Sequence, residues 1–222
     1  MCSPAARGGA PDTVEVWAFS NAASVELFVN GASAGVATPL KGNLSHFEWP
    51  AVTYVAGELK AVAYDAAHRT IATQTVATTG AAAALRVSIK DGVGNATADG
   101  HAGGLVAGCD DVALVMVEVV DAAGRRVPTA SDVVSLEVVP AGGAPLAFLG
   151  GGNGDPSELT SDKSAVRPAF HGLLLGVYGS TSQAGRATVL ATAPGLASAS
   201  IQIEVREPAF EKVWWCDRAP KL

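Results

Sequence analysis

The sequence predicts an all-β protein made of two consecutive β-sandwich domains. Several short segments alternate apolar and polar side chains with a period of two, which is typical of strands with one buried face. The 222-residue chain also contains 25 glycines and 12 prolines, which supply many turns between short strands. The one plausible helical segment, residues 81–84, is too short to be stable as an isolated helix.

The first predicted domain covers residues 12–80 and contains about seven candidate strands. Its first strand alternates two sets of side chains on opposite faces: Val14, Val16 and Ala18 against Glu15, Trp17 and Phe19. Asn30-Gly31 predicts a tight hairpin turn, because both positions need positive φ, and residues 34–37 can form the returning strand. Pro50 restricts its own strand to a sheet edge or a strand end, since proline lacks the amide donor.

The second predicted domain covers residues 84–206, and residues 78–84 are expected to be a flexible linker. The apolar run 112–121 predicts a strand in the middle of a sheet. Residues 122–125 predict a hairpin turn, and residues 92–111 are expected to form a long glycine-rich loop that packs little. Three further segments alternate with period two, at 133–139, 187–192 and 200–205.

Charge and hydropathy exclude two classes of partner. The formal net charge is −6 and no Lys/Arg cluster exceeds Arg125-Arg126, so we expect no nucleic-acid binding. No apolar run approaches the ~20 residues that span a bilayer, so we expect no membrane insertion. The first residues do not resemble a secretory signal, and the compartment is left open. Cys2, Cys109 and Cys216 lack metal-ligand spacing, and free thiols are favoured over one disulfide.

The tail at residues 207–222 breaks the sandwich pattern, because it holds Trp214 and Trp215 among charged residues. Adjacent exposed tryptophans need a cover. They either dock on the protein's own sandwich or mark an interface with a missing neighbour, and an artefact of the gene model is a third interpretation.

The glycine-rich loop 150–156 is the first candidate site. Asn153 and Asp155 carry oxygens that could bind sugar hydroxyls or a hard cation such as Ca²⁺. The alternative is a structural turn in which these two side chains bond to their own backbone, and this alternative is favoured.

Aromatic side chains form the second candidate site, because they can stack on the apolar faces of sugars. Trp49 is assigned to the core, whereas Trp17 is kept as a candidate ligand-binding residue. The glutamates occupy outward strand positions and are expected to be solvated. No catalytic residue and no metal site is therefore assigned.

Ordered blocks of sequence carry a family resemblance over about residues 14–205. In the first domain these blocks are Trp17, Ser20-Asn21, residues 25–31 (VELFVNG), Phe47, Trp49, Tyr54 and residues 57–61 (GELKA). In the second domain they are Val117, Val119, Asp121, Gly124, Val127-Pro128, residues 152–156, Phe170, Gly172-Leu173, residues 185–189 and residues 199–201. Together they resemble the C-terminal β-sandwich modules of glycoside hydrolase family 2, the β-galactosidase group.

The resemblance implies two immunoglobulin-like domains from the rear of such an enzyme, without its catalytic barrel. It implies a non-catalytic part that braces the barrel, helps to build an oligomer or narrows substrate access. The barrel, in cis or in trans, would belong to an enzyme that cleaves β-galactosides or related β-glycosides. Two departures are Ala32, where a lysine is common, and His171, where the family block usually has asparagine. The alternative function is a free-standing module that binds glycans or proteins.

Overall fold

The computed structural model describes residues 13–39, 46–93, 104–108, 111–139 and 144–208, except for the side chains of residues 91–93. Fifteen strands and no helix occur in these ranges, so they hold no helix that could cross a membrane. The chain divides into two compact units between Thr78 and Thr79. The three cysteines and the Trp214-Trp215 pair lie outside the described residues.

The first unit has six described strands, where the sequence suggested about seven. They are β1 (Thr13–Ala18), β2 (Ser24–Val29), β3 (Ala32–Ala37), β4 (Phe47–Thr53), β5 (Glu58–Tyr64) and β6 (Thr70–Ala77). Strands β1 and β4 form one sheet, and the other has the order β3-β2-β5-β6. This arrangement corresponds to strands B and E facing strands C′, C, F and G of the immunoglobulin fold.

The core of the first unit lies between these two sheets. Its fully buried members are Ala22, Val25, Leu27, Phe47, Trp49, Val52 and Ala63. Val14, Val16 and Ala18 pack against them, so this set forms the inner one of the two faces predicted for β1. The assignment of Trp49 to the core is confirmed, and its indole Nε1 donates to the Gly35 carbonyl at 3.1 Å.

Two local predictions in the first unit are confirmed. Asn30 and Gly31 have φ values of +49° and +83° and connect β2 to β3 by a two-residue turn. Pro50 lies in β4, which pairs with β1 and with no other strand of the described residues. One edge of β4 is therefore unpaired there, as the missing amide of proline requires.

The second unit contains nine described strands. They are β7 (Ala82–Val93), β8 (Leu105–Val106), β9 (Val112–Asp121), β10 (Val133–Val139), β11 (Leu146–Gly152), β12 (Val166–Pro168), β13 (Leu173–Ser180), β14 (Gly185–Thr192) and β15 (Ala199–Arg206). One sheet has the order β11-β13-β9-β7, and the other β12-β10-β14-β15-β8. In the first sheet the strands occupy the positions of D-E-B-A of the immunoglobulin fold, and β10-β14-β15 occupy those of C-F-G. Strand β12 lies beside β10, where strand C′ would lie, but it follows β11 in the chain.

Strand β9 lies between β7 and β13, as its continuous apolar sequence predicted. Two groups of ten buried residues form the core between the sheets. Val115, Val117 and Val119 of β9 contribute to this core, each at most 1 % exposed.

The expectation of a long, little-packed loop over residues 92–111 is wrong for its described part. Leu105 and Val106 pair in parallel with Val205 and Arg206, and Leu105 is 1 % exposed. Strand β15 has an edge that β14 does not occupy, and β8 pairs with that edge. The Leu105 side chain packs into the core of the second unit. A two-residue strand is too short to show periodicity in the sequence.

The expected flexible linker, residues 78–84, is also largely structured. The Thr78 amide donates to the Gly57 carbonyl at 2.8 Å, within the first unit. The Gly80 amide donates to the Asp121 carboxylate at 2.8 Å, within the second, and Ala82 already begins β7. Small side chains do not prevent strand formation here, because the neighbouring strand β9 supplies the backbone partners.

Candidate functional site

The outer face of the β1–β4 sheet carries a line of large side chains. Alternation along β1 places Glu15 and Trp17 on this face, with Phe19 directly beyond the strand end. Trp17 lies opposite Glu48 in the antiparallel register, and His46 comes directly before β4. The sequence predicted that Glu15, Trp17 and Phe19 share a face, and the exposed positions of Glu15 and Trp17 on β1 confirm it for these two.

Three rings contact one another at this face. Trp17 and His46 are stacked, with ring centroids 4.4 Å apart and planes 25° from parallel. Phe19 meets Trp17 edge-on at 6.3 Å and His46 at 5.8 Å. Trp17 is nevertheless 51 % exposed and Phe19 72 % exposed. We call Trp17, Phe19 and His46 the aromatic patch.

Two carboxylates flank the aromatic patch. The Trp17 indole Nε1 donates to Glu15 Oε1 at 2.6 Å, which fixes the orientation of the ring. Glu48 Oε2 lies 3.9 Å from His46 Nε2. The patch is therefore a preoriented set of rings with negative charge at its border.

The sequence singled out Trp17 but missed Phe19 and His46 as its neighbours. Phe19 was placed on the right face, so its period-two spacing from Trp17 was the available signal. His46 is brought in by the pairing of β1 with β4, and this long-range register leaves no local trace in the sequence.

The loop after β11 holds Asn153 and Asp155 in local hydrogen bonds. Asn153 Nδ2 donates to the Pro168 carbonyl at 3.0 Å, and its Oδ1 accepts from the Asp155 amide at 3.0 Å. Asp155 Oδ1 accepts from the amide and the hydroxyl of Ser157 at 2.8 and 2.7 Å. These contacts are those of the structural turn favoured above, and ligand binding by the two residues stays a prediction.

Arg167 is the residue of this loop that the sequence did not reveal. It is 6 % exposed, and its Nη2 donates to the carbonyls of Thr160 and Ser161 at 3.2 and 2.8 Å. The guanidinium thus holds the far side of the loop from a position inside β12. In the same loop Leu159 is 94 % exposed.

Four carboxyls of the described residues have clearly lowered pKa values. The Ser157 hydroxyl and amide lower the pKa of Asp155, and the Thr160 hydroxyl and amide lower that of Glu158. The backbone and side chain of Arg69 lower the pKa of Asp65. Hydrogen bonds from Gly80 and Arg125 lower the pKa of Asp121 to about 2. An acid catalyst of glycoside hydrolysis needs the opposite shift.

No group of three or more His, Cys, Asp or Glu side chains able to hold a metal ion occurs among the described residues. Calcium binding at the 150–156 loop stays a prediction of the sequence.

Comparison with known families gives two matches in chain order. Residues 12–72 match a domain family of unknown function. Residues 97–202 match the glycoside hydrolase family 2 C-terminal domain 5. The chain belongs to the C-terminal β-sandwich modules of glycoside hydrolase family 2. The resemblance stated from the sequence is thereby confirmed.

Single relatives align with both units of this family 2 chain. A β-galactosidase of Bacteroides ovatus is 32 % identical over 87 % of the chain and 21 % of the relative. A β-glucuronidase of Formosa agariphila is 32 % identical over 85 % of the chain and 18 % of the relative. The family 2 chain thus spans about a fifth of the length of these curated relatives.

Solved structures agree with this assignment. A glycosyl hydrolase family 2 member from Bacteroides cellulosilyticus matches with a TM-score of 0.77 and 28 % identity, over 90 % of this chain and 24 % of that one. A family 2 β-glucuronidase matches with a TM-score of 0.76 and 28 % identity, over 91 % of this chain and 20 % of that one. The all-β sandwich fold predicted from the sequence is confirmed.

Proposed function

We propose that this chain is a non-catalytic accessory part of a β-galactosidase-like glycoside hydrolase and braces the catalytic barrel of that enzyme. The observation that carries the proposal is the coverage of the relatives. Nearly all of the chain aligns with glycosidases, yet it accounts for only 21 % of the Bacteroides ovatus β-galactosidase. The other four-fifths of such a protein must hold the reaction centre.

The electrostatics of the described carboxyls support the non-catalytic role. A retaining glycosidase uses two carboxyl groups about 5 Å apart, one of which stays protonated near neutral pH. Asp65, Asp121, Asp155 and Glu158 have lowered pKa values and carry their charge in hydrogen bonds that shape turns.

The loop anchored by Arg167 supports a bracing role. It is tied to its own sandwich by Arg167 and by Lys163, whose Nζ donates to the Leu149 carbonyl at 2.7 Å. Leu159 projects from this well-held loop at 94 % exposure. We expect this preordered loop to meet the surface of the barrel, because binding through an already ordered loop costs little conformational entropy.

The proposal is tested on the native protein with an antibody raised against this chain. We expect the captured material to hydrolyse a chromogenic β-galactoside, whether the barrel is in the same polypeptide or in an associated one. The purified 22.3 kDa chain alone should show no turnover. Hydrolysis by the chain alone would refute the non-catalytic role. Capture of a 22 kDa polypeptide without glycosidase activity would favour a free-standing binding module.

A further inference from the structure

We propose that the aromatic patch, together with Glu15 and Glu48, binds neutral pyranose oligosaccharides. This site lies on the first unit and goes beyond the accessory role proposed above. A module that fails to bind sugar could still brace a barrel, so a negative sugar-binding result would refute this proposal and leave the accessory role untouched.

The first argument is the state of the Trp17 ring. A tryptophan that served only the core would be buried, as Trp49 is at 7 % exposure, whereas Trp17 is 51 % exposed. Its orientation is nevertheless fixed by the bond to Glu15 at 2.6 Å and by the stack on His46 at 4.4 Å. Binding therefore costs little side-chain entropy, because the platform is ordered before the ligand arrives.

The second argument is the size of the patch. The exposed parts of Trp17 and Phe19 amount to roughly 250 Å² of aromatic surface. A standard protein–protein interface needs about 800 Å² from each partner. Two aromatic rings of this small exposed area, with planes 73° apart, fit the C–H faces of one or two sugar rings better than the surface of a folded protein.

The third argument is the charge at the border. Ionised Glu15 and Glu48 can only accept hydrogen bonds, and sugar hydroxyls are donors that suit them. The same two charges repel uronate and sulfate groups, which selects neutral sugars by an unfavourable interaction with charged ones.

The test is an NMR titration of the Trp17 indole N–H in the full chain. The probes are cellotetraose and β-1,4-galactotetraose, with the uronate-containing hyaluronan tetrasaccharide as the charged comparison. We expect saturable shifts with at least one neutral probe and weaker binding of hyaluronan.

Substitutions identify the surface. Trp17→Ala should raise Kd roughly tenfold or more, and Trp17→Phe, which keeps a ring, should raise it less. The matched control is Ile71→Ala, a 50 % exposed side chain on β6 of the same unit, which should leave Kd unchanged. The double variant Glu15→Gln and Glu48→Gln should reduce the difference in Kd between the neutral probes and hyaluronan.

Three results would overturn the proposal. The first is no saturable shift with either neutral probe up to about 10 mM. The second is binding that Trp17→Ala leaves unchanged in a variant with the wild-type circular dichroism spectrum. The third is self-association of the wild-type chain in sedimentation velocity that Trp17→Ala abolishes, because the patch would then be a contact between copies.

Discussion

The Asp121 carboxylate organises the start of the second unit. Its Oδ1 accepts from the amides of Ala123 and Arg125, each at 2.9 Å. Its Oδ2 accepts from the Gly80 amide at 2.8 Å and from the Arg125 guanidinium at 2.9 Å. One side chain therefore closes the turn after β9 and holds the residue that precedes β7.

The same turn occurs a second time in the chain. Residues 65–69 (DAAHR) and 121–125 (DAAGR) differ only at the fourth position. That position has positive φ in both, +57° at His68 and +75° at Gly124. Asp65 likewise accepts from the amides of Ala67 and Arg69 and from the Arg69 guanidinium. What distinguishes Asp121 is the extra bond from Gly80.

Asp121 predicts a loss of stability in acid. Its pKa is lowered from 3.8 to about 2 in the folded protein, so its contribution is complete above the unfolded value and declines as pH falls from about 4 to 2. We expect Asp121→Asn to lower the Tm by several degrees at pH 6, because asparagine keeps one accepting oxygen and places an NH2 donor where the other oxygen accepts two hydrogen bonds. The difference from wild type should shrink steadily between pH 4 and pH 2 in thermal unfolding followed by circular dichroism.

Asp65→Asn is the comparison for this experiment. It changes the same turn without a bond to Gly80 and should lower the Tm less. A Tm difference between wild type and Asp121→Asn that stayed constant down to pH 2 would contradict the assignment.

At the scale of elements, the β2–β3 hairpin is fastened to β5 through Asn30. Its Oδ1 accepts from the Glu58 amide at 2.7 Å, and its Nδ2 donates to the Ala56 carbonyl at 3.1 Å. Gly57 has a φ of +139°, and a Cβ there would overlap the Asn30 side-chain amide. The asparagine therefore serves its own turn and the entry into β5 at once.

This geometry predicts coupling between Asn30 and Gly57. Gly57→Ala should cost about 2–3 kcal/mol in urea unfolding, because it combines positive φ with a steric clash. Asn30→Gly keeps the turn but loses two hydrogen bonds and should cost about 1–2 kcal/mol. The double variant should lose less free energy of unfolding than the two single variants together, because Asn30→Gly removes the side chain that a Cβ at position 57 would overlap.

Gly31→Ala separates strain from the clash. Gly31 has a φ of +83°, but a Cβ there would contact nothing within 4 Å. We expect Gly31→Ala to lower the free energy of unfolding by less than Gly57→Ala does. Strict additivity of Asn30→Gly and Gly57→Ala would show that the overlap with Asn30 carries no energy.

At the scale of the whole molecule, the two units have cores of different size. The first has seven fully buried core residues, and the second has two groups of ten. Because a small domain buries a smaller fraction of its surface, the first unit should be the less stable. Calorimetry should therefore show two transitions, with the first unit melting at the lower temperature.

Core substitutions assign the transitions. Trp49→Ala should lower only the earlier transition, by an amount that corresponds to about 3–5 kcal/mol. Val115→Ala in β9 should lower only the later one. A single transition lowered by both variants would show that the chain unfolds as one cooperative unit.

The sequence predicted those parts of the structure whose causes are local. Alternation along β1 follows from the pleat, the Asn30-Gly31 turn follows from backbone sterics, and the apolar run of β9 is typical of a strand that lies between two others. Each is encoded within ten consecutive residues.

Parts that depend on distant pairing could not be predicted. His46 stacks on Trp17 because β4 pairs with β1, and β8 exists because β15 leaves an edge for it. Arg167 was unremarkable in sequence, because its importance depends on carbonyls that the loop brings to it. The candidate site was accordingly half predicted: Trp17 was identified from its residue type, and its neighbours required the fold.

The bonds of Asn30 also have a chemical consequence. Asparagine followed by glycine is prone to spontaneous deamidation, in which the glycine nitrogen attacks the side-chain carbonyl carbon, the carboxamide C–N bond breaks with release of ammonia, and a cyclic imide forms. In this protein the carboxamide is held at both ends, by the Glu58 amide and the Ala56 carbonyl. It must leave both partners before it can turn toward the Gly31 nitrogen. The two hydrogen bonds of Asn30 thus slow its deamidation for as long as the first unit stays folded.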